Sequence, residues 1–196
     1  MIKVVIFDID GVLLDSFESN LAFIQELMKA KGYRPQTREE YLPLFHTPLW
    51  DVIKKLTGLT DEREIQTIWD FAHTANLKTK SSLMPDGATE AIKTLNKQYL
   101  LGIATSRIKT YVYEPPLDTL ASYFKVAVGY EDTISHKPHP EPLLFAAEKL
   151  GVSPHECVYI GDAETDLLAA RAAEMKFLLY SKEKLEGANA STSDFK

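Results

Sequence analysis

The first sixteen residues of the chain, MIKVVIFDIDGVLLDS, constrain its fold more than any other stretch. Residues 3–7 form an apolar, β-branched run of strand length, and the carboxylates Asp8 and Asp10 follow it directly. A run this apolar predicts a strand buried on both faces of a parallel sheet. Carboxylates at the carboxyl end of such a strand lie in the crevice where open α/β sheets bind ligands. Two acids this close repel each other unless a cation or a proton lies between them.

Beyond residue 87, predicted strands and helices alternate, which indicates a parallel sheet with helices on both faces. The predicted strands cover residues 3–7, 99–104, 125–128, 157–160 and 177–180, and the predicted helices cover residues 88–96, 117–123, 140–150 and 166–174. The segment 108–116 has no clear assignment, because Pro115 and Pro116 block a helix through it. The polar tail, residues 186–196, is expected to be a loop or weakly ordered.

Residues 17 to about 80 interrupt this alternation, since their apolar positions recur at helical spacing only. Four helices are expected there. The predicted fold is therefore α/β, a parallel Rossmann-like sheet core with an inserted four-helix cap. The core is expected to comprise residues 1–15 and 84–196, and the cap residues 16–83. Because the insert begins six residues past Asp10, we expect it to cover the acids.

Composition excludes several classes of function. The net charge of −6 argues against nucleic acid or an anionic membrane as a partner, and no stretch approaches the roughly 20 apolar residues of a membrane span. Cys157 is the single cysteine, which fits a reducing compartment, and the amino terminus does not resemble a signal peptide. We expect a cytoplasmic protein, either a monomer or a dimer.

Seven polar side chains are predicted to meet at the carboxyl edge of the sheet: Asp8, Asp10, Thr105, Ser106, Lys137, Asp162 and Asp166. Carboxylates gathered at one edge need a hard divalent cation, and oxygen ligands suit Mg²⁺. A lysine and two hydroxyls beside that cation would bind a dianion such as phosphate. This set is typical of phosphoryl transfer, in which catalysis depends mainly on positioning and charge neutralisation.

Four motifs, DIDGVLLDS, IATS, KPHPEP and GDAETD, resemble in order and spacing those of the haloacid dehalogenase-like hydrolase superfamily. The stretch from KPHPEP through GDAETD is most similar to phosphoglycolate phosphatases and related enzymes of small phosphates. The resemblance implies that Asp8 attacks phosphorus and becomes an aspartyl phosphate. It implies that Asp10 protonates the leaving group and later activates water.

The same resemblance implies roles for the remaining site residues. Thr105 would hold the transferring phosphoryl group, and Lys137 would neutralise the nucleophile and the phosphate. Asp162 would bind the metal, and Asp166 would support the metal site. The predicted Mg²⁺ ligands are thus Asp8, Asp10, Asp162 and Asp166, and the predicted substrate-binding residues are Ser106, Arg107 and Asn20.

The leading prediction is a Mg²⁺-dependent phosphatase that acts on a small phosphorylated metabolite, with an inorganic pyrophosphatase as the alternative. A β-phosphoglucomutase-like enzyme is less favoured, because that family has a histidine at the position of Asn20. Dehalogenase activity is also disfavoured, because the dehalogenase branch lacks an acid at the position of Asp10. A non-catalytic phosphate-binding or partner-binding relative is disfavoured, because all the expected acids are present.

Overall fold

The computed structural model describes residues 1–75, 77 and 80–195, and the chain forms two compact units. The first comprises Met1–Asp15 and Leu83–Lys196, and we call it the sheet unit. The second comprises Ser16–Ser82, and we call it the helical unit. Asp15 and Leu83 pair as an isolated antiparallel bridge, so the two chain segments at the unit boundary are tied together within the sheet unit.

The sheet unit contains a parallel sheet, as the alternating pattern predicts, and the sheet has six strands where the pattern indicated five. Its strands are β1 (Val4–Phe7), β2 (Leu100–Ala104), β3 (Phe124–Val128), β4 (Cys157–Gly161), β5 (Lys176–Tyr180) and β6 (Ala190–Thr192), in the order β3-β2-β1-β4-β5-β6. The strand order reverses between β1 and β4. Parallel α/β sheets bind ligands at this kind of switch point, at the carboxyl ends of the strands.

Alternate side chains of the fully buried strand β1 enter two core layers. Val4 and Ile6 pack in one layer with residues of α6 (Glu141–Leu150) and α7 (Glu164–Ala172). Val5 and Phe7 pack in the other layer with Ile92 of α5 (Ala88–Leu95) and with the 3₁₀ helix Leu117–Tyr123. Helices on both faces explain why β1 is apolar along its whole length.

Two sequence-based predictions need correction. Residues 190–192 form a strand, and not part of a loop, because their backbone pairs with β5. The last helix begins at Glu164, two residues earlier than predicted. The predicted short helix over residues 117–123 is confirmed and is a 3₁₀ helix. The unassigned segment contains a short 3₁₀ turn, Lys109–Tyr111.

The helical unit contains α1 (Phe17–Ala30), α2 (Arg38–Tyr41), α3 (Leu49–Thr57) and α4 (Glu62–Thr74), with a 3₁₀ turn at Leu42–Leu44. Its own apolar core includes Ile24, Leu27, Ile53 and Ile65, which are almost wholly buried. The prediction of helix to about residue 80 extends past α4, and positions 76, 78 and 79 lie outside the described residues. That this unit acts as a cap stays a prediction. Among the described residues, no helix combines the length and apolar character that crossing a membrane requires.

Candidate active site

The candidate site begins at Asp8, the residue that follows β1. Phe7 lies opposite Ile103 of β2 and Ile160 of β4, so these three strands end at the same level. The backbone N–H of Asp8 donates to Ile160, which extends the ladder by one residue. Asp8 is 6% exposed as a residue, and its Oδ1 accepts a hydrogen bond of 2.8 Å from the N–H of Ile9. The sheet therefore presents a buried carboxylate at its central edge.

Lys137 brings a buried cation to this carboxylate. Its Nζ lies 2.9 Å from Oδ2 of Asp8 and 2.7 Å from Oδ1 of Asp166. Lys137 lies in a turn before α6, as its position next to Pro138 predicts. Glu141, at the start of α6, accepts hydrogen bonds from the N–H groups of Ile134 and Ser135 and thereby anchors the loop that carries the lysine.

Asp166 lies in the first turn of α7 and is 1% exposed. Its Oδ2 accepts hydrogen bonds from the N–H groups of Asp162 and Ala163, at 3.1 and 3.2 Å. Its Oδ1 faces Lys137 and the hydroxyl of Tyr159. Asp166 therefore both caps its helix and supports the charged site.

Tyr159 of β4 is a site residue that the sequence analysis missed. Its hydroxyl accepts a hydrogen bond of 2.9 Å from Lys137 and lies 3.0 Å from the carbonyl oxygen of Ala104 and 3.1 Å from Oδ1 of Asp166. In the sequence Tyr159 is one apolar-looking position of the strand CVYIG. The only sequence signal for it is its position two residues before Gly161, which places its side chain on an inward face of the strand.

Three carboxylates form a group that could hold a metal ion. Oxygen atoms of Asp8, Asp162 and Asp166 all lie within 4.8 Å of one another. Two glycines permit this approach. A Cβ atom at position 11, where φ is +75°, would lie 1.8 Å from Oδ2 of Asp162, and one at position 161 would lie 2.5 Å from the side chain of Asp166.

The electrostatics of this group favour the binding of a cation. Burial raises the pKa of Asp8 to about 6 despite the nearby lysine. Burial, with the charges of Asp8 and Asp166, raises the pKa of Asp162 to about 8. Burial by itself would lower the pKa of Lys137, but Asp166 and Asp8 outweigh it and raise this pKa above its usual value. The ammonium is therefore held charged while the carboxylates resist ionisation together.

The donor set fits Mg²⁺. When ionised, the three carboxylates and the one ammonium leave a net charge of −2, which one divalent cation balances. All the candidate ligands are oxygens, which Mg²⁺ prefers. Asp10, also predicted as a ligand, lies outside this carboxylate group, and its carboxylate faces Arg107.

The remaining predicted residues occupy three different settings. Thr105 is 3% exposed, directly follows β2, and accepts a hydrogen bond of 3.3 Å at Oγ1 from the N–H of Arg107. Ser106 is half-buried beside it. Arg107 is engaged with Asp10 and Glu114. Asn20 belongs to α1 of the helical unit. That these residues bind substrate stays a prediction.

Comparisons with known proteins agree with this geometry. The family model described as haloacid dehalogenase-like hydrolase matches residues 5–180. Pyrophosphatase PpaX of Bacillus pumilus is 34% identical over 180 residues, which cover 89% of this chain and 81% of the relative. Phosphoglycolate phosphatase of Xylella fastidiosa is 33% identical over 177 residues, which cover 88% of this chain and 77% of the relative.

A solved structure supports the same assignment. The crystal structure of a hydrolase of the haloacid dehalogenase superfamily from Geobacter sulfurreducens is 33% identical. It superimposes with a TM-score of 0.72 and covers 99% of this chain and 93% of its own. The similarity therefore extends over both units of the chain.

Replacing Gly11 by alanine tests the metal site. The new Cβ would overlap the carboxylate of Asp162. We expect Mg²⁺ to raise the unfolding temperature of the wild-type protein and Gly11→Ala to abolish that rise. Gly58→Ala is the matched control, since Gly58 has a similar φ of +71° but no atom within 4 Å of the point where a Cβ would lie. In both variants, alanine in a left-handed backbone conformation should lower the free energy of unfolding by about 1 kcal/mol. A normal Mg²⁺ response in Gly11→Ala would contradict the site.

Replacing Tyr159 by phenylalanine tests the support beneath the lysine. The change keeps the ring but removes the hydroxyl that faces Lys137, Asp166 and Ala104. We expect the free energy of unfolding, measured in urea, to fall by about 1–3 kcal/mol, because buried polar groups lose a partner. Tyr123→Phe is the control, because Tyr123 packs against the other core layer. This change should alter the free energy of unfolding by less than about 1 kcal/mol. Equal effects would show that the buried hydroxyl has no special role.

Proposed function

Since the chain belongs to the haloacid dehalogenase-like hydrolase family, we propose that it is a magnesium-dependent phosphatase that hydrolyses a small phosphomonoester. The observation that carries this proposal is the carboxylate of Asp8 at the central strand end, 2.9 Å from the ammonium of Lys137. A buried carboxylate beside a fixed cation is suited to attack an anionic phosphate, because the cation screens the repulsion between them.

The reaction would take place in two steps. An oxygen of Asp8 forms a bond to phosphorus while the bond from phosphorus to the leaving oxygen breaks, and Asp10 gives that oxygen a proton. Water then attacks the phosphorus of the aspartyl phosphate and gives its proton to Asp10, which releases phosphate and restores Asp8. Splitting the transfer in this way replaces one difficult step with two easier ones.

Other residues of the sheet unit would hold the phosphoryl group. Lys137 neutralises charge at the nucleophile, and the hydroxyls of Thr105 and Ser106, at the end of β2, donate hydrogen bonds to phosphate oxygens. Asp8, Asp162 and Asp166 would hold Mg²⁺, directly or through water. When bound, this ion supplies positive charge to the phosphate oxygens.

The substrate class rests on the relatives. One relative is named a phosphoglycolate phosphatase and another a pyrophosphatase, at almost equal identity. We therefore propose a small phosphate ester of the phosphoglycolate kind, with pyrophosphate as the second candidate. A phosphomutase is disfavoured, because Asn20 cannot relay a proton as histidine does. Kinetic comparison of phosphoglycolate, pyrophosphate and an aryl phosphate would decide between them.

We further propose that the helical unit is a cap that selects the substrate, and that Asn20 is one of its contact residues. Asp15 and Leu83 flank this unit in the chain and pair through their backbones. Asp15 follows Asp10 by only five residues. Both connections to the helical unit therefore leave from the neighbourhood of the candidate site. A small metabolite substrate and the single buried Cys157 are consistent with an enzyme of the cytoplasm.

Asp8→Asn tests the nucleophile. An amide cannot form the acyl phosphate, so we expect kcat for phosphate release to fall by about 10⁴-fold or more. The metal-free unfolding temperature should change little, because the amide is neutral where burial already disfavours the ionised carboxylate. Asp118→Asn, at an exposed position, should retain full activity. If the purified Asp8 variant kept about a tenth of the wild-type kcat, Asp8 would not be the nucleophile.

Metal exchange tests the cofactor. Chelation should remove activity, Mg²⁺ should restore it, and Ca²⁺ should bind without supporting turnover. The physical reason is that Ca²⁺ takes more ligands at longer distances and would let both oxygens of a carboxylate engage it. Unfolding temperature, measured alongside activity, would show that each ion is bound. Full activity after exhaustive chelation, or in Ca²⁺ alone, would contradict the proposed chemistry.

A further inference from the structure

Arg107 and the unassigned segment that follows it have a definite structural role. The Arg107 side chain is only 8% exposed. Its Nε donates to Oδ2 of Asp10 at 2.9 Å, and its Nη2 donates to Oδ1 of the same carboxylate at 2.7 Å. This two-pronged geometry is the strongest form of an arginine–carboxylate contact, and it fixes the plane of the carboxylate as well as its distance.

The third nitrogen of the guanidinium is also engaged. Nη1 donates to the carbonyl oxygen of Tyr111 at 3.1 Å and to Oε2 of Glu114 at 3.2 Å. Both acceptors belong to the segment 108–116, for which the sequence predicted no structure. The segment therefore binds the guanidinium through Nη1, while Nε and Nη2 face Asp10. All three guanidinium nitrogens therefore have a protein acceptor, and the side chain is almost wholly buried.

The backbone of Arg107 is fixed as well. Its N–H donates to Oγ1 of Thr105 at 3.3 Å, and its carbonyl oxygen accepts a hydrogen bond of 2.8 Å from Tyr130. Gly129 packs closely against it, since a Cβ atom there would lie 3.1 Å from the carbonyl oxygen of Arg107. The residues that follow β3 therefore hold the main chain of Arg107 while the 108–116 segment holds its side chain.

We propose that Arg107 is a positioning residue that holds the carboxyl group of Asp10 in the orientation required for proton exchange with the leaving group and with water. This inference rests on the proposed function, in which Asp10 is the general acid and base. The Asp10 side chain is 17% exposed, so solvent can reach the carboxylate that the fork holds. Small errors in the placement of a catalytic group slow a reaction considerably, and a rigid fork reduces them.

This role predicts a loss that depends on the leaving group. An alkyl leaving group, as in phosphoglycolate, needs a proton as it departs, whereas a nitrophenolate leaving group does not. Arg107→Ala should therefore lower kcat/KM for phosphoglycolate by about 10²-fold, at the low end of the range for general acid catalysis. On p-nitrophenyl phosphate kcat/KM should fall by less than about fivefold, because this ratio reports only the steps up to formation of the phosphoenzyme and not the hydrolysis step that both substrates share. A variant that is merely misfolded would lose both activities equally.

Two further measurements separate orientation from charge. Arg107→Lys keeps the positive charge but loses the planar fork, so it should recover only a small part of the phosphoglycolate activity. Guanidinium chloride at low, non-denaturing concentration should raise the phosphoglycolate activity of Arg107→Ala, because the ion can fill the space left beside Asp10. It should not rescue Asp10→Asn, which lacks the carboxylate. Full recovery in Arg107→Lys would overturn the positioning role in favour of a simple charge effect.

Two reference variants make the test decisive. Arg34→Ala removes an exposed arginine that makes a two-pronged contact with Glu40 through Nη1 and Nη2, and it should leave both activities unchanged. Asp10→Asn should show the leaving-group dependence in its strongest form. If Asp10→Asn shows it and Arg107→Ala does not, the inference about Arg107 fails while the proposed function stands. If Asp10→Asn affects both substrates equally, the acid–base role of Asp10 itself fails. Equal or increased activity of Arg107→Ala on phosphoglycolate would overturn the inference.

Discussion

The site depends on one buried ammonium that lies between two buried carboxylates. Lys137 contacts Asp8 and Asp166, and all three side chains are less than a tenth exposed. Removing such charges from water is unfavourable unless each has a partner and further hydrogen bonds. The backbone N–H groups of Ile9, Asp162 and Ala163 and the hydroxyl of Tyr159 supply those bonds. When Asp162 is ionised as well, the three carboxylates exceed the one ammonium by two negative charges, and this excess favours a divalent cation at the edge.

The parallel sheet makes this concentration of charge possible. Strands β1, β2 and β4 end at the same level, so residues that are far apart in the chain meet at one edge of a regular sheet. Glycine at positions 11 and 161 leaves space where a side chain would collide with Asp162 or Asp166. The fold thus brings the side chains to one edge, and the glycines let the carboxylates approach closely. The same burial raises the pKa values of Asp8 and Asp162.

Sequence reasoning predicted the parts of this arrangement that follow from pattern. The apolar run before Asp8 and the polar residues after β2 and β4 indicate one edge, and the hydrolase motifs strengthen that interpretation. It missed β6, because a three-residue exposed strand owes its place to backbone pairing with β5, which leaves no apolar pattern. It missed Tyr159 because a buried tyrosine in a strand looks like core. It named Arg107 only as a substrate-binding residue, which stays a prediction, and it did not foresee the hydrogen bonds to Asp10, because no local pattern reveals a contact across 97 residues.

The two cations at the site serve different carboxylates, and this has a consequence for substrate selection. Lys137 faces Asp8 and Asp166, whereas Arg107 faces Asp10 and Glu114. Each cation is thereby assigned to one part of the proposed chemistry, phosphoryl transfer for Lys137 and proton transfer for Arg107. The guanidinium of Arg107 donates to Asp10, Tyr111 and Glu114, so an acidic group on the leaving portion of a substrate would compete with these acceptors for it. We therefore assign recognition of that portion first to the helical unit with Asn20, and binding of substrate by Arg107 stays a prediction.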